Sequence, residues 1–122
     1  MKKVYNKLVR DNLVEVFEHD VQNKISISDY SVRYMTPAET LEKLKDKLIE
    51  EVQEVFESYN KEDNVGLKEE VADVIEVIDA MLYHNNISLA EVLSIRDAKR
   101  TQKGGFEKGV FLESMDYFDE AK

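Results

Sequence analysis

Two long segments of this chain, joined by one short polar stretch, place apolar residues at every third or fourth position. In residues 37–60 these positions include Leu41, Leu44 and Leu48, and the same spacing recurs in residues 67–83. Apolar residues at this spacing line one face of an α-helix. Because a short connection brings consecutive helices side by side in opposite directions, the sequence predicts an antiparallel helical pair.

Capping and turn residues mark where the helices begin and end. The sequence "TPAE" at residues 36–39 is a capping box with proline at the first helical position, which predicts a helix start at residue 37. Residues 7–22 are predicted to form an earlier helix, and "SLAE" at residues 88–91 opens a later one that ends near Gly104. Residues 25–35 alternate between polar and apolar and predict a short extended segment or a hairpin. The predicted fold is an all-α bundle of about four helices.

Size and composition limit what such a bundle can be. A chain of 122 residues with 43% hydrophobic content predicts one domain spanning residues 1–122. The sequence contains no cysteine, which excludes disulfides and thiolate metal sites and agrees with a cytoplasmic location. Its apolar runs are short, and its net charge of −9 opposes binding to phosphate backbones. We therefore expect a soluble protein that binds neither a membrane nor a nucleic-acid polymer.

A nearly repeated acidic pattern lies on the two paired helices, as "IEEVQEV" on the first and "KEEVADV" on the second. Helical geometry places Glu51 and Glu54 to one side of the apolar stripe of their helix. Glu70 and Asp73 fall at nearly the same two angles on the following helix. An antiparallel pair would therefore bring four carboxylates together along one edge of the helix contact.

Four carboxylates facing one another would repel, and burial would raise their pKa values. A hard divalent cation removes the repulsion, and Mg²⁺ commonly joins carboxylate oxygens to substrate phosphates. The pattern thus predicts one or more Mg²⁺ ions, with Mn²⁺ as a substitute. The alternative is a solvated acidic face, on which Lys47 forms ordinary helical ion pairs with Glu50 or Glu51.

Three segments, in this order along the chain, resemble a known enzyme family. They are "YNKLVRDNL", "KLKDKLIEEVQEV" and "KRTQKGGFEKGVFLE". Together with the spacing Glu-Glu-x-x-Glu followed by Glu-x-x-Asp, they resemble the MazG-like all-α nucleoside triphosphate pyrophosphohydrolases. Within that superfamily they look most like the phosphoribosyl-ATP pyrophosphohydrolase-like, house-cleaning branch. Members of the branch often carry Pro shortly after "VRD" and Arg before "GGF", where this chain has Leu13-Val14 and Lys103.

The resemblance implies a nucleoside triphosphate substrate, which is cleaved between the α- and β-phosphates to give the monophosphate and pyrophosphate. It also implies that Glu51, Glu54, Glu70 and Asp73 bind Mg²⁺. A carboxylate can take the proton of the attacking water, and Glu50 and Glu54 are the two candidates for this base. The sequence does not choose between them.

Basic residues near both ends of the chain, together with Lys47 in the predicted helix of residues 37–60, are predicted to hold the substrate phosphates. The alternative for those near Gly104 is a favourable interaction with the C-terminus of their helix. The predicted substrate-binding residues are Lys7, Arg10, Lys47, Lys99, Arg100 and Lys103.

Two other functions remain open at this stage. A phosphoribosyl-ATP pyrophosphatase of histidine biosynthesis would share the chemistry and differ in substrate, and a non-catalytic helical protein could bind a nucleotide or metal alone. Apolar residues predicted to be exposed, namely Ile49, Phe56, Ile75 and Val77, lead us to expect a homodimer or a higher homo-oligomer.

Overall fold

The computed structural model describes residues 1–119, and its regular structure is entirely helical. Within these residues there is no β-strand, so the predicted all-α fold class is confirmed. No helix in the described part of the chain combines the length and the apolar character needed to cross a bilayer. The four helices are α1 (Leu13–Gln22), α2 (Pro37–Asn60), α3 (Asn64–His84) and α4 (Leu89–Lys103).

The first helix is shorter than the sequence predicted, because it begins at Leu13 rather than at residue 7. The preceding residues are irregular, and the backbone N–H of Leu13 donates to the carbonyl of Arg10 in the turn that leads into α1. Leu8 and Val9 are half-buried without being helical, so the apolar pattern extended beyond the helix itself. The basic residues Lys7 and Arg10 therefore lie on an irregular segment, and the prediction that they share the first helix was wrong.

Residues 25–35 form an irregular connection, and the hairpin alternative was wrong for this part of the described chain. The carboxylate of Asp20, near the end of α1, accepts the backbone N–H groups of Ser26 at 2.9 Å and Ile27 at 2.6 Å. These hydrogen bonds hold the pKa of Asp20 below its usual value. Because the Asp20 carboxylate binds these two N–H groups, they are not available for the backbone hydrogen bonds of a hairpin, and the segment after α1 is a loop.

The start of α2 agrees with its predicted capping box. The Thr36 hydroxyl oxygen accepts the backbone N–H of Glu39 at 3.2 Å, and the Glu39 carboxylate accepts the N–H of Thr36 at 3.3 Å. Pro37 occupies the first turn, where its missing N–H leaves no helical hydrogen bond unmade. Arg33 donates to the same Glu39 carboxylate at 3.0 Å. Local sequence is therefore sufficient to define this helix end.

The turn between α2 and α3 spans residues 61–63, and α3 begins earlier than the apolar spacing indicated. Asp63 caps the helix by accepting the backbone N–H of Gly66 at 3.0 Å. A Cβ atom on Gly66 would lie 2.3 Å from an Asp63 carboxylate oxygen, so glycine makes room for this cap. The short turn makes α2 and α3 antiparallel neighbours, as predicted.

The described chain divides into two compact units, one from Met1 to Ser88 and one from Leu89 onward. In the first unit, α2 and α3 pack against each other and bury Leu44 and Val77. The prediction that Val77 is exposed was wrong, because it lies one turn after Asp73 on the side of α3 that faces α2. A single domain spanning residues 1–122 stays a prediction.

In the second unit, α4 ends immediately before Gly104, in agreement with the predicted helix end. The N–H of Gly104 donates to the carbonyl of Arg100 at 2.8 Å, and the φ angle of Gly104 is +84°. Glycine adopts this left-handed conformation without the steric cost that a side chain would bring. The residues from Gly104 to Asp119 contain no regular helix or strand.

Candidate metal centre

The antiparallel pairing of α2 with α3 brings the repeated acids together. Glu51 lies nine residues before the end of α2, and Asp73 lies nine residues after the start of α3, so the two face each other across the helix contact. Carboxylate oxygens within 4.8 Å of one another form two groups that share Glu51. One group is Glu50, Glu51 and Glu54, and the other is Glu51, Glu70 and Asp73. We refer to these five residues as the acid cluster.

Glu51 is the most enclosed member of the acid cluster, with only 6% of its surface exposed. One carboxylate oxygen of Glu51 and one of Glu70 are buried and have no hydrogen-bond partner within the described residues. A buried carboxylate oxygen without a partner is costly, and such oxygens in proteins are normally bonded to donors or metal ions. An all-oxygen donor set with unpartnered buried atoms fits a hard divalent cation.

The ionisation of the cluster also reflects its crowding. Burial raises the pKa of Glu51, and the neighbouring Glu54 carboxyl raises it further, while Lys47 acts in the opposite direction. Contact with the Glu70 carboxyl is the main cause of a raised pKa at Glu54. Without a cation Glu51 and Glu54 therefore retain their protons more readily than isolated glutamates would. A bound metal ion would displace these protons.

Two of the basic residues predicted to bind substrate pair with members of the acid cluster. The Lys47 ammonium lies 3.4 Å from a Glu51 oxygen and 3.7 Å from a Glu50 oxygen, as an ordinary helical pair would place it. The Arg10 guanidinium donates to Asp73 at 2.6 Å. The second pair joins residues 63 positions apart, so local sequence gave no signal for it.

The other four predicted phosphate ligands form no ion pair with the acid cluster in the described residues. The Lys7 ammonium is 5.6 Å from the centre of the Tyr5 ring, in a cation–π geometry. The remaining three are exposed residues of α4, in the second unit, and the Arg100 guanidinium donates to Glu107 at 2.5 Å. A Cβ atom on Gly105 would lie 2.5 Å from this guanidinium, so glycine leaves space for the pair. Sequence reasoning missed Glu107 because it follows the glycines in a segment without periodicity. The three α4 residues are Lys99, Arg100 and Lys103.

A family profile described as phosphoribosyl-ATP pyrophosphohydrolase matches residues 10–100, well over half of the chain. The chain belongs to this family. It is therefore a pyrophosphohydrolase, a hydrolase that acts on acid anhydrides, and the resemblance noted in the sequence is confirmed. The matched region contains the whole acid cluster together with Arg10, Lys47, Lys99 and Arg100, whereas Lys7 and Lys103 lie outside it. The searches of curated proteins and of solved structures gave no significant match to the chain.

Proposed function

We propose that this member of the phosphoribosyl-ATP pyrophosphohydrolase family is a Mg²⁺-dependent nucleoside triphosphate pyrophosphohydrolase. It cleaves between the α- and β-phosphates, releases the nucleoside monophosphate and pyrophosphate, and removes non-canonical nucleotides in the cytoplasm. The main support for this chemistry is the position of Glu51. This residue belongs to both groups of carboxylates inside the matched region, and one of its oxygens is buried without a partner.

The metal in this proposal is Mg²⁺, with Mn²⁺ as a substitute, and its ligands are Glu51, Glu54, Glu70 and Asp73. When bound, the ion supplies charge neutralisation at the phosphates and acidifies a coordinated water. The four carboxylates would hold the ion from two helices that are packed against each other, so the positions of these side chains are set before substrate arrives.

A carboxylate of α2 accepts the proton of the attacking water in the proposed reaction. Glu54 lies between Glu51 and Glu70, whereas the Glu50 side chain is 53% exposed and approaches Lys47. Glu50 is thus open to solvent, whereas Glu54 lies closer to the other acids of the cluster. Glu50→Gln distinguishes them, because Glu50 is not among the proposed metal ligands. If Glu50 is the base, this variant loses turnover and keeps metal binding; if Glu54 is the base, it keeps both.

Binding of the triphosphate is assigned to the basic residues. Arg10 and Lys47 are already beside the acid cluster, where they can contact phosphate oxygens next to the metal. An arginine can bind two phosphate oxygens with its planar guanidinium, whereas a lysine acts as a point charge. The four residues Lys7, Lys99, Arg100 and Lys103 are proposed as further phosphate ligands.

A substrate panel tests this proposal against its main alternative. The family description favours phosphoribosyl-ATP as a second candidate substrate. Purified full-length protein is incubated with Mg²⁺ and, separately, with phosphoribosyl-ATP, canonical triphosphates and oxidised or deaminated triphosphates, and the products are separated by chromatography. We expect the monophosphate and pyrophosphate with the highest kcat/KM for a non-canonical nucleotide. A preference for phosphoribosyl-ATP would support the histidine-pathway alternative, and loss of the γ-phosphate alone would refute α–β cleavage.

Matched variants connect any activity to the acid cluster. Glu54→Gln removes one proposed ligand and retains the shape of the side chain, whereas Glu57→Gln makes the same change one turn later on α2, outside both groups of acids. We expect turnover to be lost in the first variant and kept in the second. Equal activity in both would refute the proposed site.

We also propose a homodimer or a higher homo-oligomer. In the described residues Leu44 and Val77 are the buried apolar side chains, which is a small core for a chain of this length. Ile49 and Phe56 on α2 are each 60% exposed, and Ile75 on α3 is 51% exposed. Association of these helix faces would bury the apolar surface that one subunit leaves in water. Light scattering at micromolar concentration tests the proposal, and a monomer would refute it.

A further inference from the structure

Arg10 links an irregular N-terminal segment to the acid cluster. Its backbone carbonyl accepts the N–H of Leu13 at 3.1 Å in the turn that precedes α1, and the adjacent Leu8 and Val9 are half-buried. The backbone of the segment is thus held, while 61% of the Arg10 side chain remains exposed. A long side chain on a held backbone can change partners without moving a helix.

The partner of Arg10 is a carboxylate that the acid cluster also uses. Asp73 accepts the guanidinium at 2.6 Å and has an oxygen within 4.8 Å of oxygens from Glu51 and Glu70. A divalent cation held by these three acids would lie close to the guanidinium, and two cations sharing one carboxylate repel each other. The contact between Arg10 and Asp73 therefore competes with a metal ion at this position.

Lys47 differs from Arg10 in how it reaches the cluster. It lies one turn before Glu51 on the same helix, and its side chain is only 25% exposed. The geometry of α2 keeps Lys47 beside Glu51 whether or not a metal is present. Arg10 approaches from outside the helical pair and is the more exposed of the two, so it is the counter-ion that can leave.

We propose that Arg10 is an internal counter-cation of the acid cluster, that a divalent metal ion displaces it from Asp73, and that the released guanidinium is then free for a substrate phosphate. This inference rests on the proposed function, because it assumes that metal and triphosphate use the same site. Metal binding then favours phosphate binding, and phosphate binding favours metal binding, because both depend on the release of Arg10 from Asp73.

Metal titration of the metal-free, full-length protein tests the displacement. Mn²⁺ binding is measured by electron paramagnetic resonance for the wild type, for Arg10→Gln and for Arg33→Gln. The control removes an arginine that pairs with Glu39 at the start of α2, twelve residues before Glu51. We expect Arg10→Gln to bind Mn²⁺ about three- to tenfold more tightly than the wild type, as loss of one competing ion pair predicts. The control should stay within about twofold. Unchanged or weaker binding in Arg10→Gln would overturn the proposal.

The arginine side-chain resonances give a second readout that does not depend on affinity. The Nε–H signal of Arg10 is assigned by its loss in Arg10→Gln and followed while diamagnetic Mg²⁺ is added. Release from Asp73 should shift this signal and leave that of Arg33 in place. An Arg10 signal that does not move while Mg²⁺ saturates the protein would show that the contact persists, and it would overturn the proposal.

Turnover separates failure of this inference from failure of the proposed function. Wild-type protein that binds Mn²⁺ and hydrolyses a triphosphate, with no tighter binding in Arg10→Gln, would overturn the inference alone. Tighter metal binding in Arg10→Gln without hydrolysis of any triphosphate by the wild type would support the displacement and refute the proposed function. Absence of metal binding to the wild type would overturn both.

Discussion

The substitution Glu54→Gln should change thermal stability in opposite directions with and without metal. Glu54 lies within 4.8 Å of Glu50 and Glu51 through its carboxylate oxygens and contacts the carboxyl group of Glu70. Glutamine keeps the shape, removes the charge and supplies two N–H donors that can bind neighbouring carboxylates. The variant thus relieves repulsion in the metal-free state and removes a proposed ligand in the metal-bound state.

The expected magnitude follows from the oxygen separation. Two like charges at 4.8 Å, the upper limit of the oxygen separations within each group of acids, repel by about 0.9 kcal/mol in bulk water and by about 3.5 kcal/mol at an effective dielectric constant near 20. Glu54 is only half-buried, so solvent screens part of this repulsion. We therefore expect the metal-free variant to be more stable by about 1 kcal/mol, which corresponds to roughly 3–6 °C in Tm.

Saturating metal should reverse the order of the Tm values of the wild type and Glu54→Gln. A ligand present at one hundred times its Kd stabilises the folded state by about 2.7 kcal/mol, which exceeds the gain from removing one charge. In a thermal denaturation series, Glu54→Gln should melt above the wild type in chelator and below it in saturating Mg²⁺. Glu57→Gln, on the same helix and outside both groups of acids, should follow the wild type in both conditions. The reasoning would be refuted if Glu54→Gln melts below the wild type in chelator, or if Mg²⁺ raises its Tm by as much as it raises that of the wild type.

Three further predictions concern pH, the second unit and helix capping. Above the ordinary glutamate value of 4.5, the raised pKa values of Glu51 and Glu54 make the folded, metal-free protein bind more protons than the unfolded chain, so its Tm should fall as pH rises. Saturating Mg²⁺ should abolish this slope. If α4 holds phosphate, Arg100→Gln should lower kcat/KM at least about tenfold with little change in Tm. Glu107→Gln, which releases the same guanidinium from its partner, should not lower it. Asp63→Ala should reduce the free energy of unfolding by about 1 kcal/mol in urea denaturation, through loss of the hydrogen bond that caps α3. An unchanged midpoint would contradict the capping role.

The parts of the fold that the sequence predicted depend on residues close together in the chain. Thr36 and Glu39 define the start of α2 through hydrogen bonds between positions three apart, and Gly104 follows the end of α4 because of its positive φ angle. The placement of Glu51 opposite Asp73 needed one further step, the antiparallel turn, and that turn is also local. Local rules combined with helical periodicity were therefore sufficient to bring Glu51, Glu54, Glu70 and Asp73 to one edge of the helix contact, whereas they did not place Glu50 in the acid cluster.

The parts that the sequence did not predict depend on contacts or conformations without a periodic signature. Leu8 and Val9 are half-buried on an irregular segment, so their apolar character looked like one more helical turn. The loop after α1 is held by the Asp20 carboxylate, which binds backbone groups six and seven residues later. The contact between Arg10 and Asp73 is the extreme case, because it connects two elements that only the folded chain brings together.

The contact between Arg10 and Asp73 also determines which acids of the cluster have a basic partner. Lys47 approaches Glu50 and Glu51, and Arg10 pairs with Asp73, while Glu54 and Glu70 form no ion pair within residues 1–119. These two unpaired acids contact each other, and their contact is the main cause of the raised pKa at Glu54. A proton can relieve one such contact, but it leaves the buried Glu51 and Glu70 oxygens without partners. A divalent cation can neutralise the same charge and also bind those oxygens, so it satisfies two requirements that protonation meets only in part. If such a cation displaces Arg10 from Asp73, as proposed above, the guanidinium that stabilised the metal-free site is then available to a substrate phosphate.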